Sequence, residues 1–155
     1  MLKLIKPTLE ELVFKQHLVG DKETMSFNQV NGGTLDFPKE RWETWYHKWI
    51  ASDDPNFFYR YLYSEELETN IGEVAYHYEE NTYRFVCDVI VLAEYRGRGF
   101  GKNGLDLLCD SAKKNGVNVL YDDILSNNPS VNLFLKNGFE LIYSNEEINV
   151  VKREL

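Results

Sequence analysis

The stretch Val89-Ile90-Val91-Leu92-Ala93-Glu94-Tyr95-Arg96-Gly97-Arg98-Gly99-Phe100-Gly101 decides how the rest of the chain is read. The β-branched run at its start is a buried strand, and the polar residues after it are a short loop. A helix then begins inside a glycine cluster, with Leu105, Leu108, Cys109 and Ala112 on one face and Gly116 closing it. Gly97, Gly99 and Gly101 carry no side chains, so successive backbone N–H groups can converge on an anion. The helix N-terminus adds its partial positive charge to the same spot. With Arg96 and Arg98 beside them, these groups form a phosphate cradle between a strand and a helix.

Working outward, Leu2 to Lys6 reads as a strand stopped by Pro7, and Thr8 with Glu11 is a capping box for a helix running to about Val19. Residues 20–36 are polar and glycine-containing, a loop. Pro38 opens a helix over 38–50 whose Trp42, Trp45, Tyr46 and Trp49 share one face. These aromatics read first as core packing; the sharper reading makes some of them the wall of a substrate pocket. Strands are expected over 57–63, 71–78 and 83–92, with Glu79-Glu80-Asn81 turning the last two into a hairpin. After the helix over 99–115 come a strand over 117–121, a helix over 129–136, and strands over 139–143 and 148–152. The order β-α-α-β-β-β-α-β-α-β-β, with one βαβ unit between residues 84 and 121, predicts an α/β fold with a mixed central sheet flanked by helices.

The composition fits one domain spanning residues 1–155: 43% of residues are hydrophobic and 27% charged. A net charge of −8 lacks the clustered Lys and Arg that duplex binding needs, so a nucleic-acid partner is not expected, whereas a cationic substrate is favoured. Cys87 and Cys109 show neither CxxC nor Cys/His spacing, which argues against a disulfide framework or a metal site. No apolar run has the length of a signal peptide or a membrane span. A cytoplasmic protein with no membrane partner is the expectation.

Two phosphate ligands compete for the glycine loop. Gly99-Phe100-Gly101-Lys102-Asn103-Gly104 satisfies GxGxxG, and Asp122 stands about 20 residues on, as in a dinucleotide fingerprint. However, Ala93 to Arg98 separate strand from glycine, and too little chain follows for a doubly wound sheet. The pattern Arg96-x-x-Gly99-x-Gly101 instead resembles the acetyl-CoA loop of the GNAT N-acetyltransferase superfamily. Asn127-Asn-Pro-Ser-Val-Asn-Leu-Phe-Leu-Lys-Asn-Gly-Phe139 is similar to the second element of that family's signature. The resemblance spans about residues 71–142 and implies acetyl-CoA as co-substrate, with an acetyl-CoA core over 84–142 and acceptor-side elements over 20–50. It implies that Val89 and Val91 pair with the pantetheine arm, that the loop from Arg96 through Gly97, Arg98, Gly99, Phe100 and Gly101 to Lys102 holds the pyrophosphate, that Asn127 hydrogen-bonds near the pantetheine, and that the 129–136 helix, which carries Phe134, flanks the thiol end.

In such enzymes an amine attacks the thioester directly, so a base must take the ammonium proton and an acid often serves the leaving thiolate. The family commonly places Tyr where this chain has Phe134. Tyr121 and Tyr143 are substitutes by position, and the departing thiolate also needs no protein acid in principle. The family's frequent Glu or His positions fall near Phe85 and Cys87. Candidate bases are Asp88, an acid within an apolar strand, and Glu73, His77 and Asp122. Glu73 and Asp122 read more readily as solvent-facing, and His77 as structural. The acceptor is expected to be a small-molecule or peptide amine; a homodimer is left open. A module that binds CoA but has lost catalysis is the alternative reading.

Overall fold

The computed structural model describes residues 1–28 and 33–155; residues 29–32, inside the loop expected over 20–36, lie outside the described residues. The strands are β1 (Leu2–Ile5), β2 (Phe57–Ser64), β3 (Thr69–Glu79), β4 (Arg84–Val91), β5 (Val119–Leu125), β6 (Glu140–Ser144) and β7 (Ile148–Glu154). The helices are α1 (Leu12–Gly20), α2 (Trp42–Tyr46), α3 (Phe100–Lys114) and α4 (Val131–Lys136). One sheet runs β1-β2-β3-β4-β5-β7-β6, and every neighbouring pair is antiparallel except β4 and β5. The expected mixed α/β sheet is therefore present, with α3 as the crossover of its single parallel pair.

The sheet is packed on both faces. On one, Leu105, Leu108, Cys109 and Ala112 of α3 and Phe134 of α4 meet Leu62, Val74, Tyr76, Cys87 and Leu120. On the other, Leu12 and Val19 of α1 and Trp42 of α2 meet Tyr59 and Tyr61. The capping box forms as expected: Thr8 N–H donates to Glu11 Oε1 at 2.9 Å, and Glu11 N–H to Thr8 Oγ1 at 3.4 Å. Tyr61 then pins α1 to the sheet, its hydroxyl donating to the Glu11 carbonyl at 2.7 Å and accepting from Lys15 N–H at 3.2 Å.

Two elements differ from expectation. The helix expected over 38–50 is a 3-10 turn (Lys39–Arg41), α2, and a π turn (His47–Ala51), closed by Ser52 N–H donating to the His47 carbonyl at 2.9 Å. Its aromatic face governs this: Trp42 is buried and donates to the Phe37 carbonyl, while Trp45 and Trp49 stack at 5.9 Å across the widened turn. The strand expected over 117–121 runs instead from Val119 to Leu125, because β7 pairs with it throughout, from Val119↔Glu154 to Leu125↔Ile148. Asp122 is thus inside a strand, not at its end.

Register lines up three rows across β2, β3 and β4 on the α1/α2 side: Tyr61–Glu73–Ile90, Tyr59–Ala75–Asp88 and Phe57–His77–Val86. β4 and β5, by contrast, are matched only at Phe85↔Leu120 and Val86↔Tyr121. Beyond that point the two strands part. Among the described residues no helix is long and apolar enough to cross a membrane.

Candidate active site

A cleft of about 830 Å³ opens where β4 and β5 part. Val89, Ile90 and Val91 form one wall, Ile124 and Leu125 the other, and the glycine loop closes one end. Gly97 and Gly99 have φ of +79° and +83°, the left-handed region that glycine enters without strain. A Cβ at either position would meet no heavy atom within 4 Å, so the backbone around both is open to an approaching ligand. Gly99 caps α3, whose first N–H groups face this end; Phe100, Gly101 and Lys102 complete it. The arrangement suits a pyrophosphate, and the unpaired β4 edge suits an extended arm. The residues present therefore fit CoA.

Arg96 has a second partner. Its Nη2 donates to the Thr24 carbonyl at 2.8 Å, while Thr24 Oγ1 accepts from Ala93 N–H at 2.9 Å and donates to Asp21 Oδ2. This clamp makes Thr24, Met25, Phe27 and Asn28 a wall of the large cleft, although residues 20–50 read as acceptor-side from sequence. Arg98 lies off the cleft wall, its guanidinium 5.7 Å from the Tyr95 ring centroid. Lys102 lines the cleft and pairs with Asp106 at 3.3 Å. Phe134 lines it too, buried and edge-on to Phe139. Asn127 is exposed and off the wall; the asparagine that lines the cleft is Asn128, which also accepts from Ser130 N–H at 2.9 Å at the start of α4.

A second chamber, about 340 Å³, lies beneath α1 and α2. Trp45, Trp49, Tyr59 and His77 supply rings, and Lys15 and Glu73 pair directly in its wall. Trp45 and Trp49 thus settle as pocket wall and Trp42 as core. Asp88 and Asp122 line both the cleft and the chamber, so the two spaces meet at this pair of carboxyls.

Glu73 is not solvent-facing. It is 3% exposed, and both its oxygens bind Lys15 Nζ, at 3.2 and 3.1 Å. Asp88 opens onto the cleft yet is enclosed by protein on its other sides. That enclosure, with Glu73 nearby and Lys15 only partly compensating, raises its carboxyl to about 6. Asp122 is also not a free surface acid: burial first, and then the charge of Asp88, push it well above the usual range. The two carboxyls are neighbours at one junction, and burial holds both above the usual carboxylate range. Burial lowers His77, which packs between Trp49 and Phe57 and is neutral at pH 7.

Tyr121 lines neither space; Arg84 covers its ring at 4.4 Å. Tyr143 is exposed on β6 and accepts from Asn145. Sequence reasoning missed Lys15, Tyr59, Tyr95 and Asn128. Only Asn128 carried a local signal, as the neighbour of Asn127 in the quoted motif.

The residues 23–139 match the family model described as Acetyltransferase (GNAT) family, and the chain belongs to that family. Comparison with curated protein sequences found no match. Among solved structures, a GNAT-family acetyltransferase from Streptococcus pneumoniae superposes with a TM-score of 0.79 at 14% identity, over 100% of both chains. A spermidine N-acetyltransferase chimera from Vibrio cholerae and hSSAT gives 0.76 at 17% identity, over 99% of this chain and 95% of that one. A PaiA N-acetyltransferase from Thermoplasma acidophilum in complex with coenzyme A gives 0.71 at 13% identity, over 100% and 99%. These likenesses are of fold.

Proposed function

We propose that this protein is an acetyl-CoA-dependent N-acetyltransferase acting on a primary amine by direct attack on the thioester. One observation carries the reading: a cleft fitted to CoA and an aromatic chamber meet at Asp88 and Asp122. Acetyl-CoA supplies the activated acetyl group. The chamber holds the amine, Asp88 takes the ammonium proton, and Asp122, its carboxyl pushed up by burial, is the second acid at the junction. This pair stands in for the tyrosine that Phe134 replaces. A cytoplasmic location is part of the same reading, supported by the buried free thiols of Cys87 and Cys109. So is a homodimer, supported by the exposure of Leu141, Ile142 and Tyr143 on edge strand β6.

The test titrates acetyl-CoA, CoA and NAD against the protein by thermal shift, then follows free thiol with a panel of amines. Stabilisation by acetyl-CoA with thiol release is expected. Stabilisation without release from any amine would favour the CoA-binding module that Phe134 also suggests.

Gly99→Asp separates binding from folding. No neighbouring atom lies within 4 Å of the added Cβ, though φ of +83° strains any L residue there, and the substitution puts a carboxylate at the N-terminus of α3 where the pyrophosphate would lie. CoA affinity should fall at least about tenfold, measured by isothermal titration, in a protein with wild-type circular dichroism. Unchanged affinity would place the pyrophosphate elsewhere.

A further inference from the structure

We propose that the chamber selects compact primary amines with a flat apolar body and no carboxylate, and that the Lys15–Glu73 ion pair is what excludes the carboxylate. The inference rests on the chamber being the acceptor site.

The rings set the body of the ligand. Trp45 stacks on Trp49 at 5.9 Å and meets Tyr59 edge-on at 4.7 Å, so a flat apolar group finds faces and edges to pack against. The volume of about 340 Å³ limits that body to a small molecule.

The charges set its polar end. Lys15 is the one Lys or Arg among the described lining residues, and burial disfavours the cation of His77. Lys15 is already spent: Glu73 holds it through both oxygens, and its ammonium lies 4.9 Å from the ring centroids of both Trp45 and Tyr59. Their side chains are 13% and 4% exposed, so little water screens the pair. What remains are Asp88 and Asp122. An ammonium arriving at Asp88 is attracted, whereas a carboxylate on the same molecule meets like charge there and no free cation.

β-Phenylethylamine and L-phenylalanine share a ring and an amine and differ by one carboxylate. With acetyl-CoA, kcat/KM should favour the former at least about a hundredfold. Glu73→Gln keeps the shape and frees the Lys15 charge, and should shrink that ratio at least tenfold by improving L-phenylalanine. The double variant Lys15→Met with Glu73→Gln removes the charge again and should restore the wild-type preference, which a general loosening of the fold would not do. Equal use of both probes by the wild-type protein, or an unchanged ratio in Glu73→Gln, overturns the proposal while leaving acetyl transfer intact. Tryptophan fluorescence with CoA present reads binding independently through Trp45 and Trp49. Binding of β-phenylethylamine but not L-phenylalanine, with no thiol released, would support the selectivity and retire the acetyltransferase reading. Binding of neither probe overturns the selectivity.

Discussion

Asp88→Asn is expected to lower acetyl transfer at least about a hundredfold and, in the same molecule, to raise the melting temperature at neutral pH. The two effects share one cause. Asp88 sits where the cleft and the chamber meet, and burial, with Glu73 nearby, lifts its carboxyl to about 6. A base raised to that value is ionised at pH 7 yet binds a proton more firmly than an ordinary carboxylate, which suits proton abstraction. The folded protein thus holds this proton more tightly than the unfolded chain. The stabilisation from that difference is fully present below the unfolded value near 3.8 and is lost as pH rises through about 6. At neutral pH the native state carries the unfavourable charge; asparagine does not. The stability advantage of the variant should therefore shrink as pH falls from 7 towards 4. In wild type, kcat/KM should fall below about pH 6 as Asp88 is protonated, and the variant should lack that limb. Thermal melts and pH–rate profiles of the two proteins decide it. Activity within threefold of wild type would remove Asp88 from the proton path.

Gly72→Val should cost about 3 kcal/mol of stability, or roughly 6–12 °C in melting temperature for a domain of this size. Gly72 pairs with Val91 in β4 and follows an extra residue, Ile71, where the β2–β3 register shifts. A Cβ built there lies 2.2 Å from the Ile90 carbonyl oxygen and 3.0 Å from the Val91 Cα. Both obstacles are backbone, so no rotamer change relieves them, and β4 must move at the segment that walls the cleft. Gly101 offers the contrast: its Cβ would be nearest to side chains, Leu133 at 3.1 Å, which can turn aside, and Val91 at an ordinary 4.0 Å. Urea denaturation of Gly72→Val and Gly101→Ala side by side measures the difference. A loss below about 1 kcal/mol in Gly72→Val would mean that the strands separate there at little cost.

The half proposed to hold the cofactor was legible because its pattern is local. Strand, loop, glycines and helix follow one another from Val89 to α3, and the helix face of Leu105, Leu108, Cys109 and Ala112 is buried as its spacing predicts. The chamber proposed for the acceptor depends on residues that only the fold brings together. Lys15 and Glu73 are 58 positions apart, and nothing in either neighbourhood announces the other. Glu73 reads as a surface acid until α1 is laid over the sheet. Asp122 and Asp123 look like the end of a strand until β7 is seen to carry β5 through them. Asp88 could be singled out because an acid amid Val86, Val89, Ile90 and Val91 is anomalous in any strand buried on both faces. Trp45 and Trp49 could be placed on one helical face but not assigned to core or cavity, since the choice rests on what lies opposite.

The brief match between β4 and β5 has a mechanical consequence. Sheets usually fray from their outer strands inward, yet here the least-stitched line runs through the middle, where two paired positions hold four strands to three. Thermal breathing should concentrate along that line, with amides near Val91 and Ile124 trading hydrogen for deuterium sooner than those of β2 or β3 behind them. Anything that lies along the gap and bonds to both margins sews the sheet shut. The protein should then be stiffer loaded than empty, with α3, packed on strands from both sides of the gap, carrying the connection that the two paired positions do not.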